Sequence, residues 1–449
     1  MNLPVRHFEA RNRSRVSGFT LLEVMIATTL GLLVSVGLVT LFGALNKTNR
    51  VQQSMAEMQE NGRFAITKLN YDLRLASRRL MSMAGYSSSA AGSNGAVNFS
   101  LAPNVYVKTG VPFPDATLNA PATWPATNTS WPLSPRYFLQ GYTCASSSCS
   151  PNTVPAYLPS ISTATDGGRV KGADVLSMRY LNSQGWSSNS GEVTPNCAGG
   201  PFLVNLSLTP NTGGSYPSPA SNFVSGDLAM ISSSSGDAAI FQANVSGTTL
   251  TPTNLLHTGD QVACPGSGEV RLYNFSRNFI TVTYWLRLDA DPVTAGRFIP
   301  ALMRTEADNT GTPGATAHRT DAELVQGIEQ LNFLFGIQKS DGTTQYLTAT
   351  DVSGNSSAAT CPSPPAQYVQ NIFGVVEPDC LWRSVKSIET HLLADSVNNS
   401  DLAPDEMVYQ YNGSGTPAAP AATMPSGLPS GTMMRREFVS LTSVRNFNP

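Results

Sequence analysis

GFTLLEVMIATTLGLLVSVGLVTLFGAL, residues 18–45, is the stretch that decides the fold. From Val24 to Leu45 it runs 22 residues without a charge. At about 1.5 Å per residue such a helix covers roughly 33 Å, enough for a bilayer core of about 30 Å. Upstream, Arg6, Arg11, Arg13 and Arg15 stand against Glu9. The positive-inside rule then keeps residues 1–18 in the cytoplasm and sends the chain after Leu45 outward. A cleaved secretory signal has a shorter apolar core followed by a small-x-small site. None follows before Asn46, so the helix is retained. Glu23, four positions after Phe19, is the ionisable residue that interrupts the apolar character. In a span such a group costs about 2.5–3.5 kcal/mol, unless it lies near the helix end and snorkels to the headgroups.

Beyond the span the helical pattern continues. Val51, Met55, Met58, Gly62, Ala65, Leu69, Asp72/Leu73, Ala76 and Leu80 recur at steps of three and four. This predicts one helix from Phe19 to about Ser82, ending before Gly85, with Gly62 as a weak point. The amphipathic half is read as packing on the rest of the chain. Gly31, Gly37 and Gly43, six apart, offer close-approach points in the membrane half, although no GxxxG is present.

After Gly85 the texture changes. Residues 87–96, 114–135, 209–220, 352–366 and 412–431 are rich in Ser, Pro, Gly, Thr and Asn and read as loops. Between them Ile280, Val282, Tyr284, Leu286 and Leu288 alternate with Thr281, Thr283, Trp285 and Arg287, and Leu331, Phe333, Phe335 and Ile337 alternate likewise. Asp174–Leu181, Phe202–Leu208, Asp227–Ser232, Ala239–Val245 and Phe438–Val444 are further candidate strands, and Val385–Leu393 fits strand or helix. The expected class is α+β: a long N-terminal helix, half membrane-spanning and half amphipathic, packed on a mainly antiparallel β head with long loops.

Charged residues are 13% of the 449. The net charge of −2 divides unevenly: +3 over residues 1–18, −1 at Glu23, +4 over 47–80, and −8 after residue 80. A nucleic-acid-binding head would run the other way, so no nucleic acid is expected as a partner. All six cysteines (Cys144, Cys149, Cys197, Cys264, Cys361 and Cys380) follow the membrane segment. An even number on one side of a membrane reads as a disulfide framework in an oxidising space. Six cysteines allow 15 pairings. The four-residue spacer favours Cys144–Cys149 first, with Cys361–Cys380 next. No CxxC appears, and no histidine sits at ligand spacing from a cysteine, so no metal is assigned. His7, His257, His318 and His391 are scattered, and no nucleophile, P-loop or dinucleotide motif is present, so no catalytic residue or cofactor is assigned. Asp289 with Asp291, and Asp351 with Asn355, fall short of a calcium loop.

Gly18-Phe19-Thr20-Leu21-Leu22-Glu23-Val24-Met25-Ile26-Ala27 closely resembles the class III signal of type IV pilins. The resemblance implies that a prepilin peptidase cuts between Gly18 and Phe19, that Phe19 is then N-methylated, and that Glu23 serves filament assembly. Cutting there creates a cationic amine on Phe19 one turn from Glu23. In a packed filament the Glu23 of one subunit can take the Phe19 amine of its neighbour. Such a pair specifies register, because an unpaired charge in an apolar core is expensive.

Three further pieces resemble PilW-like minor pilins and, more loosely, J-type pseudopilins of type II secretion. They are Gln59–Ala65 with Leu69, Asp72-Leu73-Arg74 and Ala84-Gly85-Tyr86; Ile280–Leu288 with Ala301–Arg304 and Glu323–Glu329; and the end Ser443-Val444-Arg445-Asn446. The implied organisation is a leader over 1–18 that is removed, a transmembrane assembly helix over 19–46, an extracytoplasmic amphipathic helix over 47–84, and a β-rich head over 85–449 with an insertion around 87–269. The implied role is structural: a minor pilin that primes or caps pilus assembly. Its expected partners are the prepilin peptidase, other minor pilins, the major pilin and the inner-membrane assembly platform. It would start as a single-pass inner-membrane protein with a periplasmic head and end in the pilus, at the tip. The alternatives are a J-type pseudopilin and, third, a membrane-anchored extracytoplasmic enzyme or binding module.

Overall fold

The computed structural model describes residues 18–76, 104–108, 130–132, 138–145, 147–151, 154–162, 165–200, 202–209, 219–233, 237–253, 264–265, 268–293, 295–308, 310, 319–338, 343–353, 380–383, 385–398, 408–411 and 433–444. The leader arginines, Leu80, Cys361 and the segments around His257 and His318 lie outside these residues, as does the side chain of Cys380. Two units divide the chain, residues 1–54 and 55–449.

Helix α1 runs from Leu21 to Leu75 and therefore belongs to both units. In the first unit its side chains are exposed throughout the apolar run. It is the one described helix long and apolar enough to cross a membrane. Polar residues within the run bond to the helix itself. The hydroxyls of Thr28, Thr29, Ser35 and Thr40 donate to the carbonyls of Val24, Met25, Gly31 and Gly37 at 2.7–3.0 Å. No donor is thus left facing hydrocarbon at these positions.

In the second unit Met58, Ala65, Leu69, Leu73 and Ala76 are buried, which is the heptad-like stripe the spacing predicts. Burying a leucine contributes about 1.5–3 kcal/mol, so Leu69 and Leu73 anchor this half. Met55, expected on the same stripe, is exposed. Along the apolar stripe, full burial starts at Met58.

The strands that follow are β1 (Asn104–Lys108), β2 (Ser130–Pro132), β3 (Leu139–Cys144), β4 (Cys149–Ser150), β5 (Ile161–Ser162), β6 (Arg169–Val170) and β7 (Val175–Leu181). Next come β8 (Trp186–Ser187), β9 (Val193–Asn196), β10 (Asn205–Leu208), β11 (Leu228–Ser233), β12 (Asp237–Ser246), β13 (Thr249–Thr253) and β14 (Val270–Asn274). The chain ends with β15 (Phe279–Ala290), β16 (Phe298–Ala307), β17 (Arg319–Gln326), β18 (Ile328–Gln338), β19 (Thr344–Leu347), β20 (Val385–Asp395) and β21 (Arg435–Ser443).

They form three sheets. A nine-stranded sheet has the order β8-β14-β11-β12-β13-β10-β9, with β1 and β2 added through β12. Its core gathers Leu206, Phe241, Leu250 and Leu272, and the rings of Trp186 and Phe223 lie 5.3 Å apart. An eight-stranded sheet has the order β17-β16-β15-β7-β3-β4, with β6 and β5 joined through β15. A four-stranded sheet has the order β19-β18-β20-β21. The described ladders are antiparallel apart from β1 with β12 and β5 with β6. The head is therefore mainly antiparallel β, and the class is α+β.

Two physical details depart from the alternation read in sequence. Residues 139–181, within the stretch taken as an insertion, supply β3 to β7 of the eight-stranded sheet, interleaved with strands from residues 279–326. The threonine face of β15 is also not a solvent face. Thr281, Thr283 and Trp285 are buried, because Tyr157 and Ser177 hydrogen-bond the Thr283 hydroxyl (2.8 and 2.9 Å) and Trp285 donates to Thr305 at 2.9 Å. Satisfied hydroxyls can be buried, so both faces of β15 are covered around Thr283.

Candidate functional site

The processing region stands at the start of α1. Gly18 and Phe19 precede the helix, and Phe19 is 81% exposed. Thr20 caps the helix: its Oγ1 accepts from the Glu23 amide at 3.3 Å, and its carbonyl accepts from Glu23 and Val24 at 3.1 and 3.2 Å. Thr20-Leu21-Leu22-Glu23 is thus the hydroxyl half of a capping box, with Glu23 three residues past the cap. A carboxylate there is also favoured by the helix dipole. Sequence reading did not recognise this local role, although the T-x-x-E spacing carries it. Among the described residues, no hydrogen bond or ion pair reaches the Glu23 carboxylate. Gly31, Gly37 and Gly43 have no neighbour within 4 Å of an added Cβ, so their faces are open.

From Met58 onward the helix is joined to the sheets by polar and close-packed contacts, several of them in segments that carried the minor-pilin resemblance. Asn61 Nδ2 donates to the Gln326 carbonyl at 3.5 Å. At Gly62 an added Cβ would lie 2.3–2.6 Å from the Phe438 ring, so this glycine is the seat of an aromatic side chain rather than a weak point in the helix. Asn70 donates to Ser440 at 2.8 Å and accepts a short hydrogen bond from Thr442.

The contact at Asp72 is the strongest. Asp72, 1% exposed, receives Arg304 Nε and the Tyr284 hydroxyl at 2.7 Å each, and the Tyr180 hydroxyl at 3.4 Å. Arg304 also donates to Glu306 at 2.8 Å. Burial alone would lower the Arg304 guanidinium, but its hydrogen bond and charge contact with Asp72 outweigh that and leave it raised. Burial pushes the Tyr284 and Tyr180 hydroxyls up, and Asp72 adds to it, so both stay protonated donors. The cluster is a polar clamp between helix and sheet in which every charge is paired.

A second buried cluster joins the ends of the four-stranded sheet. Arg435 at the start of β21 grips Glu329 at the start of β18, with Nε–Oε2 2.6 Å and Nη2–Oε1 2.8 Å. Asp395 at the end of β20 lies beside them, and burial followed by the Glu329 charge raises its pKa. Gly327 makes the turn into β18 at φ +79, where a Cβ would sit 2.8 Å from Asp395 Oδ1.

Cys144 and Cys149 are joined by a disulfide, as are Cys197 and Cys264. The Cys361–Cys380 pairing falls outside the described residues. Among the described residues no group of three or more His, Cys, Asp or Glu side chains could hold a metal. Asp289 is taken by Arg287 (Nη2–Oδ2 2.9 Å), Asp291 by Arg297 (3.2 Å) and Asp351 by the Thr348 hydroxyl (2.7 Å). His391 sits between Glu437 and Glu389 at 2.7 and 3.1 Å, one on each ring nitrogen, a bridge across β20 and β21.

Residues 283–446 match the family described as type IV pilus-assembly protein W. Residues 13–39 match the prokaryotic N-terminal methylation motif, which contains the capped helix start. No curated protein and no solved structure matches the chain. The first match spans β16 to β20 and runs past β21, so it holds Arg304, Gln326 and Phe438 among the head's partners for the helix, while Tyr180 lies before it. Together the two matches support a type IV pilus-associated pilin and are consistent with a PilW-like minor pilin.

Proposed function

We propose that this chain is a minor pilin that takes part in priming or capping type IV pilus assembly as a structural subunit. The observation that carries the reading is the start of α1: Gly18 and Phe19 stand outside the helix, within the methylation-motif match, ahead of an exposed apolar run. Prepilin peptidase cuts between Gly18 and Phe19, Phe19 is N-methylated, and residues 19–46 become the assembly helix. Glu23, whose amide is already satisfied by Thr20, keeps its carboxylate for the Phe19 amine of a neighbouring pilin. Before assembly the protein is single-pass in the inner membrane with its head in the periplasm, and it meets other minor pilins, the major pilin and the assembly platform. Afterwards it lies in the pilus, at the tip. The function is non-enzymatic.

A deletion strain tests this. Loss of surface pili with type II secretion intact, restored by the wild-type gene, supports the pilus role. Normal piliation with lost secretion assigns the chain to the secretion machinery instead. Replacing residues 19–46 with an unrelated membrane anchor should abolish complementation; full complementation would point to an anchored binding module or enzyme.

A further inference from the structure

Hairpin β3–β4 closes on the Cys144–Cys149 disulfide. Cys144 is buried, whereas Cys149 is half-buried beside the exposed Ser147 and Ser148. Arg169 on β6 is itself buried, 7% exposed, and turns its guanidinium toward the two sulfurs. Its Nη1 lies 3.4 Å from Cys149 Sγ and 3.9 Å from Cys144 Sγ, while Nε donates to the Pro159 carbonyl at 2.7 Å. Burial pulls its pKa down, and among the described residues no carboxylate forms an ion pair with it. A disulfide sulfur is a weak acceptor, and a buried cation is costly without a good partner. A thiolate is such a partner. The site is matched to the reduced state better than to the oxidised one.

The opposing charge stands on the other side. Asp174 accepts from the Cys144 amide at 2.9 Å and from the Phe333 amide at 3.2 Å, and burial raises its pKa to about 6. Once ionised it disfavours a thiolate at Cys144, so the thiolate belongs on Cys149, nearer Arg169.

We propose that Cys144–Cys149 is an exchange-active disulfide, opened and reclosed by a dithiol of the thiol–disulfide oxidoreductase class, with Arg169 as the cation that holds the thiolate. A thiolate of the dithiol attacks Sγ of Cys149, the less buried of the two cysteines. The S–S bond breaks, and its electron pair goes to Cys144, which takes a proton. The second thiol of the reagent then attacks its own sulfur in the mixed disulfide and releases Cys149 as a thiolate beside Arg169. The dithiol is oxidised to a disulfide, the chain's disulfide is reduced, and the reagent's two protons pass to the products or solvent. A lower thiol pKa makes a better leaving group and a more reducible bond. Cys197–Cys264, which closes a separation of 67 residues, serves as the internal reference.

Full-length protein in detergent micelles is equilibrated with reduced and oxidised dithiothreitol over a range of ratios, quenched in acid, alkylated and mapped by mass spectrometry. Cys144 and Cys149 should label at ratios about tenfold or more less reducing than Cys197 and Cys264. Arg169→Gln should shift that transition about tenfold toward stronger reductant, one pKa unit's worth, with Cys197–Cys264 unmoved. Arg169→Lys should recover most of the shift. Both disulfides opening together, or an unchanged transition in Arg169→Gln, overturns the proposal. If Arg169→Gln also moves Cys197–Cys264, the variant has lost its fold and the wild type decides. After reduction, the pH midpoint for iodoacetamide labelling of Cys149 should lie below about 8.5; a midpoint at or above that value overturns the assignment.

Discussion

Replacing Asp72 with alanine tests the clamp between helix and head. The carboxylate is buried and accepts two hydrogen bonds of 2.7 Å, from Arg304 and Tyr284. Bonds to a charged group contribute about 1.5–3 kcal/mol each, and stranding one member of a buried pair costs about 3–5 kcal/mol. Arg304 keeps Glu306 at 2.8 Å, and that carboxylate is 39% exposed, so the guanidinium is not left wholly bare. The cost should fall at the lower end, about 3 kcal/mol. Adding Arg304→Met removes the stranded cation, so the double variant should lose about 2 kcal/mol less than the sum of the singles. Urea unfolding of the full-length protein in micelles, followed by fluorescence from the buried Trp285 and Trp382, reads both quantities. A loss below about 1 kcal/mol for Asp72→Ala, or strict additivity, would refute the clamp.

Other perturbations separate the remaining elements. Glu23→Ala should leave cleavage largely intact and impair incorporation into filaments, scored by pilus shearing and immunoblot; normal incorporation removes the inter-subunit charge argument. Gly62→Leu drives a side chain into the Phe438 ring and should cost about 1–3 kcal/mol despite leucine's better helix propensity, with Phe438→Ala in the same background restoring part of it. Asp395 has a folded pKa raised above its unfolded value, so its contribution is intact below about pH 4 and stability falls as pH rises above that through the folded value. Asp395→Asn, which resembles the protonated form, should flatten that decline in unfolding midpoints measured from pH 4 upward; an unaltered slope would show that the burden lies elsewhere.

The helix was legible because its signals are local. A charge-free run and apolar positions every three or four residues need no knowledge of the partner. β15 and β18 were legible from alternation. Val385–Asp395 was ambiguous because Val385, Ile388, Leu392 and Leu393 satisfy a helical spacing as well; pairing with β18 and β21 decided it. Gly62 and Asp72 were visible, but their meaning was not. Both depend on residues more than 200 positions away, Phe438 and Arg304, which only the folded register brings near. The nine-stranded sheet was legible only in part: β10, β11 and β12 fall on candidate strands, whereas β8 and β9, two and four residues long, carry little periodicity. Arg169 gave no sequence signal, since nothing in a lone arginine announces two sulfurs beside it.

Mass spectrometry of the mature N-terminus, in membranes from cells with and without the prepilin peptidase, decides whether this chain is a processed pilin. A processed pilin begins at N-methylated Phe19 only when the peptidase is present. An intact leader in both strains, or a cut beyond Leu45, would contradict it.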